Sequence, residues 1–354
     1  MLNGELYLRA DDTIKTLLDE SIRRGNNFYC YQLPQSNRIT LCREAIVIPG
    51  LSERGGFVVS SFNNEYTLTL HPKADLEFED SLFSENLQEN CPLCSAMLPS
   101  TTREEHRKGV EAIISSLRRN GFGKCVLSRR ISGELTKTIP DIFVELCKKY
   151  PTAFIFLYNT PASGIWLGAT PELLLKAEDG KLTSVSLAGT RPNGTAAEWD
   201  AKNREEQDIV TQYIADTLAK NDIEPRIGPL FTRQAGPVEH LCRIINGDTE
   251  DITISSIRSL LHTLSPTPAL GGYPKKLALG LIQTHESHSR ECYGGYCGPF
   301  QDKDNFNLYV NLRSARVYPE CGVYAQYVGG GITRFSNAED EWKETEIKAS
   351  TLKL

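Results

Sequence analysis

Glu341, Glu344 and Lys348 are spaced three and then four residues apart in the stretch FSNAEDEWKETEIK, residues 335–348. At about 100° per residue of α-helix they fall within about 60° of one another, while Glu339, Lys343 and Glu346 fall on roughly the opposite side. Two readings are open. The row can be a solvated ladder of ion pairs, which is common and contributes little. It can also be a set of carboxylates turned toward a site. Glu206 raises the same question. In EWDAKNREEQDIVTQYIADTLAKN the apolar stripe is Val210, Tyr213, Ile214 and Thr217, and one step of four residues back along it lies Glu206. A carboxylate on an inward face is costly unless a cation, a metal or several donors meet it, or unless the end of the stripe reaches the surface. Glu206 and Glu344, from two helices, would make a hard oxygen site. Such a site suits Mg2+, which uses one or two carboxylates together with water and substrate oxygens.

Three further features could carry chemistry. Gly329-Gly330-Gly331 precedes the closing helix. Backbone without side chains beside a helix N-terminus can cradle an anion, although a triple glycine is also an ordinary tight turn. Arg313, in YVNLRSARVY, is expected to share a strand face with Asn311 and Ala315. It can pair bidentately with a carboxylate, or serve as a solubilising charge on an edge strand. Cys91 and Cys94 have C-x-x-C spacing. Zinc would need two more ligands, and there is no second C-x-x-C or close H-x-x-x-H, so a Cys-containing loop is the plainer reading. The sequence has no G-x-x-x-x-G-K-[ST], no G-x-S-x-G and no strand-linked G-x-G-x-x-G.

The elements that must position these groups are legible from periodicity. TIKTLLDESIRRG is predicted helical, with Ile14, Leu17, Leu18 and Ile22 on one side and a closing Gly25. FYCYQL, AIVIPG, GGFVVSSF and EYTLTLH read as strands, and residues 76–100 as a polar connecting loop. TREEHRKGVEAIISSLRRNG is an amphipathic helix with Val110, Ile113, Ile114 and Leu117 inward and a closing Gly121. Beyond it, KCVLSRRI, TAFIFLYN, GIWLGA, KLTSVSLAGT, VEHLCRIING, CYGGYCGPF, FNLYVNLRSARVY and GVYAQYVGGG read as strands. IPDIFVELCKKY, the stretch around Glu206, ITISSIRSLLHTL, PKKLALGLIQTH and the closing stretch read as helices. Strands and helices come in blocks, which favours an α+β fold over a doubly wound sheet.

Composition narrows the partners. The 354-residue chain is 40% hydrophobic and 24% charged, as in a globular protein, with a net charge of -6. That charge argues against a nucleic-acid partner but not against a small anion, because a pocket can be positive on an acidic protein. No 18-residue apolar run is present, so no membrane span is expected. The start, MLNGELYLRADD, lacks the basic and apolar regions of a secretory signal, so a cytoplasmic location is expected. Of the ten cysteines, Cys30, Cys42, Cys125, Cys147 and Cys242 sit in apolar runs and read as small hydrophobes.

A set of motifs resembles the chorismate-utilising enzymes, which comprise isochorismate, anthranilate, aminodeoxychorismate and salicylate synthases. The motifs are KCVLSRR (124–130), ATPELLL (169–175), SLAGTRP (186–192), NREEQDIV (203–210), VEHL (238–241), SPTPALGG (265–272), CYGGYCG (292–298), NLRSA (311–315) and GGGITRFSNAEDEWKETEIK (329–348). The resemblance covers about residues 103–352. It implies one domain over 1–354, built on a large β-sandwich with helices outside. Residues 1–100 form a shortened β-rich N-terminal part and 103–352 the chorismate-binding core. It further implies that Glu206 and Glu344 hold Mg2+ against the ring carboxylate of chorismate, with Glu341 acting through metal-bound water. Gly329, Tyr293 and Arg313 fall where the enolpyruvyl carboxylate is held, and Lys348 beside the substrate carboxylates. Gly189 and Thr190 of the LAGT turn, His240, Ala269 and Leu270 fall on the substrate wall.

Within the family, members that add water at C2 carry a Lys at the start of the K-x-V-L-S-R strand, and here that is Lys124. Ammonia users carry Gln there. Aminodeoxychorismate synthases place a nucleophilic Lys just before the G-T of the turn, where this chain has Ala188. TPALGG resembles the isochorismate synthases rather than salicylate synthase. The expectation is therefore a monomeric isochorismate synthase of menaquinone or siderophore biosynthesis, with Lys124 as general base and Glu172 as the acid that protonates the departing C4 hydroxyl. Salicylate synthase and a non-catalytic chorismate-binding protein are the alternatives.

Overall fold

The computed structural model describes residues 2–73, 98–235, 238–249 and 252–354. Cys91 and Cys94, and most of the expected loop at 76–100, lie outside the described residues. Two large antiparallel sheets dominate, with helices packed on them. The chain follows the order β1 (Glu5–Leu8), α1 (Asp12–Arg23), β2 (Phe28–Gln32), β3 (Ile39–Cys42), β4 (Ala45–Pro49), β5 (Gly56–Ser60), β6 (Thr67–Pro72), α2 (Arg103–Asn120) and β7 (Lys124–Glu134). It continues with α3 (Ile139–Lys149), β8 (Phe154–Thr160), β9 (Gly164–Thr170), β10 (Leu173–Glu178), β11 (Lys181–Pro192), α4 (Ala201–Ala219), β12 (Arg226–Ile227), β13 (Phe231–Ala235) and β14 (Val238–Asp248). The last third comprises α5 (Ile254–Leu264), β15 (Gly272–Tyr273), α6 (Lys275–His285), β16 (Tyr296–Asp302), β17 (Asn305–Val310), β18 (Ser314–Tyr318), β19 (Val323–Thr333) and α7 (Ala338–Ala349).

One sheet runs β1-β3-β2-β8-β9-β18-β19-β7-β15, and the other β12-β14-β11-β10-β17-β16-β5-β6-β4, with β13 beside β14. Strands of the first 72 residues extend both sheets: β1 to β3 lie at one end of the first and β4 to β6 at one end of the second. Between the layers lies an aromatic seam. Phe154 of β8 stacks on Tyr309 of β17 at 4.2 Å between ring centroids, and Tyr29 of β2 on Phe57 of β5 at 5.2 Å. Offset stacking of this kind adds to the burial of two large apolar faces. Among the described residues, no helix is long and apolar enough to cross a membrane.

Local chemistry sets the helix ends. Thr102 and Glu105 close a capping box on α2, which ends at Gly121 with φ +71°. Asp200 caps α4 by accepting from the Asn203 N–H, and Asn337 caps α7 by accepting from Glu339 and Asp340. On α7, Glu341 is buried while Glu339, Lys343 and Glu346 are exposed, so the helix divides as the wheel drew it.

Three sequence expectations are corrected. FNLYVNLRSARVY is not one strand. It breaks after Val310, crosses from one sheet to the other through Asn311–Arg313, and resumes at Ser314, with Arg313 in the left-handed region at φ +49°. A period of two cannot reveal such a switch, because apolar residues face the seam from both sheets. The strand expected from CYGGYCGPF starts only at Tyr296, and Tyr293 stands in the turn before it. Gly329–Gly331 is neither a turn nor a loop at a helix N-terminus. It lies inside β19, paired with Ser128, Leu127 and Val126 of β7.

A buried ion pair ties this framework together. Arg290 contacts Glu286 through Nε (2.8 Å) and Nη2 (2.5 Å), and both side chains are 2% exposed. Arg290 also donates to the carbonyls of Leu270 (2.7 Å) and Val126 (2.6 Å), and Glu286 accepts from the Ser128 N–H (2.6 Å). One pair thereby holds β7 to the loop before β15. Removing one partner of such a pair strands a buried charge, at about 3–5 kcal/mol. Arg290→Met should lose that much stability in urea, and adding Glu286→Leu should recover part of it, because no lone charge then remains. A single variant within about 1 kcal/mol of the parent would contradict this account.

Candidate active site

Two places where the chain switches sheets open onto one cavity. Pro171 and Glu172 link β9 of the first sheet to β10 of the second, and Leu312 and Arg313 link β17 back to β18. A break in register between Ala188 and Arg191 of β11 puts Gly189 and Thr190 on the same cavity. Gly189 takes φ +71°, and a Cβ there would sit 3.0 Å from Asn203 Oδ1, which accepts from the Thr190 N–H. The bulge is thus pinned by the first turn of α4. The cavity is small, about 80 Å3.

The first sheet contributes Lys124 of β7 and Gly329 of β19 to the walls. The second contributes His240 of β14, and the helices contribute Glu206, Glu344 and Lys348. Ala269 and Leu270 come from the loop after α5, and Tyr293 from the turn before β16. Every residue expected at the site therefore meets at this one cavity, except Glu341. Glu341 lies behind the wall, on the far side of Gly330, and a Cβ on Gly330 would approach its Oε2 to 3.0 Å. The glycine run makes room on alternate faces. A Cβ on Gly331 would lie 2.8 Å from Lys124 Cε and 2.9 Å from Glu206 Oε2, and one on Gly329 3.0 Å from the Tyr293 hydroxyl.

Charges alternate in the corner between α4 and α7. Lys124 Nζ lies 3.1 Å from Glu206 Oε2, Lys202 Nζ 2.8 Å from Glu341 and 3.6 Å from Glu206, and Lys348 Nζ 2.7 Å from Glu344. Lys348 also donates to the Gly329 carbonyl (2.9 Å). Burial pushes the Glu341 carboxyl up to about 7, against the pull of Lys202 and with the help of the neighbouring Glu344 charge. Burial would raise Glu344 too, but the Lys348 and Lys202 ammoniums outweigh it and hold that carboxyl below its usual range. Lys202 is not among the residues expected from the sequence, although its place four residues before Glu206 is the signal that points to it.

This corner fits a hard cation held in part by the protein. Glu206 and Glu344 both reach the cavity, and Glu341 Oε2 is buried without a hydrogen-bond partner, a position that a metal-bound water would satisfy. Among the described residues no three His, Cys, Asp or Glu side chains converge as a complete cage. Mg2+ needs none, since it keeps water and binds substrate oxygens.

The opposite part of the cavity is set for an anion. Arg313 donates from Nη2 to His240 Nε2 (3.2 Å), and His240 Nδ1 donates to the Gly189 carbonyl (2.8 Å), which defines the Nδ1–H tautomer. Burial, reinforced by Arg313 and Lys348, drives the imidazole down to about 3, so it is neutral. Tyr293 stacks on Tyr327 at 5.8 Å with its hydroxyl toward Gly329. Glu172 is 4% exposed, and burial lifts its carboxyl to about 7 even though Lys124, Lys348, Arg313 and Arg233 all pull the other way. A cavity that holds a buried amine and a carboxyl poised near neutrality can exchange protons with a bound molecule from two sides.

The family described as chorismate binding enzyme matches residues 67–353. The chain is 31% identical over 264 residues to the salicylate biosynthesis isochorismate synthase of Pseudomonas aeruginosa, covering 71% of this chain and 54% of that protein. It is 32% identical over 276 residues to isochorismate synthase MenF of Escherichia coli, covering 72% and 62%. It is 28% identical over 269 residues to anthranilate synthase component 1 of Acinetobacter calcoaceticus, covering 70% and 53%. The chain thus spans between about half and two thirds of the length of these relatives. In fold it is similar to an isochorismate synthase from Bacillus anthracis, with a TM-score of 0.77 at 20% identity over 96% of this chain and 98% of that one. The structure of MenF from Escherichia coli gives 0.76 at 20% identity over 99% and 94%. The chain belongs to the chorismate-binding enzyme family.

Proposed function

We propose that this protein is an isochorismate synthase that works as a cytoplasmic monomer, converting chorismate to isochorismate with Mg2+. The observation that carries the reading is the pairing, in one cavity, of a buried Lys124 with a Glu172 carboxyl raised to about 7. Ala188, where a nucleophilic Lys would signal a different chemistry, and the relatives named isochorismate synthase support it.

In this mechanism Lys124, in its neutral form, takes a proton from a water that attacks C2 of the ring. The C1–C2 double bond shifts to C1–C6 and the C5–C6 double bond to C4–C5. The C4 hydroxyl leaves as water after Glu172 protonates it. One water enters and one departs, so the reaction is an isomerisation, and the two protons return through solvent. Arg313, Tyr293 and the Gly329 backbone orient the enolpyruvyl carboxylate, Lys348 adds positive charge beside the carboxylates, and His240, Thr190, Gly189, Ala269 and Leu270 fix the ring. Holding the ring in one pose converts an encounter into a positioned reaction. Glu206 and Glu344, with Glu341 behind them, would hold Mg2+, which supplies charge neutralisation and positioning of the ring carboxylate.

Chromatography of the products of chorismate with Mg2+ tests the reading. Isochorismate without salicylate or pyruvate is expected; salicylate and pyruvate would make the protein a salicylate synthase, and binding without turnover a chorismate-binding protein. Lys124→Ala and Glu172→Gln should each cut turnover by about 10²–10⁴-fold with the fold intact, and near-parental activity in either would remove its role. The pH dependence has a definite sign. Glu172 must be protonated to act, and its raised pKa keeps it so up to about 7, so the kcat/KM profile should bend downward as pH rises through that value, and Glu172→Gln should abolish the bend. A rate still rising above pH 8 would place the acid elsewhere.

A further inference from the structure

A second cleft lies against the first. It has a volume of about 960 Å3 and shares Pro171 and Arg313 with the inner cavity, so the two spaces meet at those residues. Its remaining charged lining is Lys149, at the end of α3, Arg233 of β13, and Lys353, after α7. No Asp or Glu lines it among the described residues. The chain as a whole carries -6, so this concentration of positive charge inverts the average surface.

The banks of the cleft are tied to each other. The Tyr150 hydroxyl donates to the Thr351 carbonyl (2.9 Å), and the Gln35 N–H to the Pro151 carbonyl (2.6 Å). Lys149 Nζ lies 4.9 Å from the Tyr150 ring centroid, which holds that ammonium on the bank. Arg233 stands close enough to the inner cavity for its charge to act on both Glu172 and His240. The corner between α4 and α7 instead pairs each carboxylate with a lysine, Glu206 with Lys124 and Glu344 with Lys348, so it has no such excess of one sign.

We infer that this cleft is the vestibule through which a dicarboxylate substrate reaches the site, drawn in by Lys149, Arg233 and Lys353 and handed to Arg313 at the junction. The inference rests on the proposed function for the identity of the dicarboxylate. Clefts lined by one sign of charge raise association rates by about 10–10³-fold, and the gain is lost in salt. The bland alternative is a basic stretch of surface with no traffic through it.

The test compares two double variants of the full chain. Lys149→Gln with Lys353→Gln removes two exposed vestibule charges. Lys181→Gln with Lys303→Gln removes two charges at the β10–β11 and β16–β17 hairpin ends, the first residue of β11 and the turn before β17, at the far ends of the strands that lead to Glu172 and Arg313. At ionic strength near 0.01 M, where charges act over about 30 Å, the vestibule variant should lose about three- to tenfold in kcat/KM for chorismate with kcat unchanged. The control variant should change less than about twofold. Near 1 M, where the range is about 3 Å, both should match the parent. Equal losses in the two variants, or a vestibule loss that survives high salt, would overturn the inference. Product identity and turnover by the parent test the proposed function separately. If the parent turns nothing over, calorimetric binding of chorismate replaces kcat/KM as the readout, and failure of the parent to bind overturns the vestibule as well.

Discussion

Carboxylates that leave water must be met by positive charge, and that constraint organises the cavity and everything around it. Glu206, Glu341 and Glu344 come from two helices, α4 and α7, and none of them faces bulk solvent freely. Lys124, Lys202 and Lys348 answer them from a strand and the same two helices. An uncompensated charge at any of these positions would cost several kcal/mol, so α4, α7 and the start of β7 must stand within ion-pair distance. The glycines of β19 are the steric counterpart of that demand. Side chains at 329–331 would occupy the space that the site groups fill.

The same desolvation that makes those charges costly gives Glu172 its character. Four cations surround it, and in water they would push its pKa far down. Burial wins instead, and the carboxyl stays protonated to near neutrality. His240 shows the reverse sign of the same effect, losing its proton because burial and the neighbouring Arg313 both oppose a positive ring. A site with a neutral histidine, a protonatable glutamate and a buried amine is chemically asymmetric without any unusual residue.

Position comes from the sheets. A carboxyl at the Pro171–Glu172 switch and a guanidinium at the Leu312–Arg313 switch can face one space only because the chain changes layers at both points. Regular strand pairing would have turned these groups into one layer or out to solvent. The Glu286–Arg290 pair holds β7 and the Leu270 loop in register behind that space, so the strand of Lys124 and this part of the cavity wall share one anchor. Charge also differs between the two spaces: carboxylates and lysines are paired in the corner of α4 and α7, whereas the charged residues lining the outer cleft are cations among the described residues.

Much was legible without coordinates. Helical spacing separated Glu341, Glu344 and Lys348 from the exposed Glu339, Lys343 and Glu346, because residues three and four apart share a face whatever the fold. Stripe periodicity put Glu206 inward for the same reason. The motif set identified the family and therefore the sandwich, since so many spaced motifs rarely coincide by chance. Local pattern could not choose between an ion-pair ladder and a site, because that depends on what another helix brings within 3 Å. Nor could it locate the crossover in FNLYVNLRSARVY, place the glycine run within a strand, or join Lys149, Arg233 and Lys353 into one cleft. Those facts depend on contacts between residues distant in sequence. The residue types and their faces belong to the sequence, whereas the distances, the burial that sets the proton affinities and the contrast between a paired corner and a cationic cleft exist only once both sheets have packed.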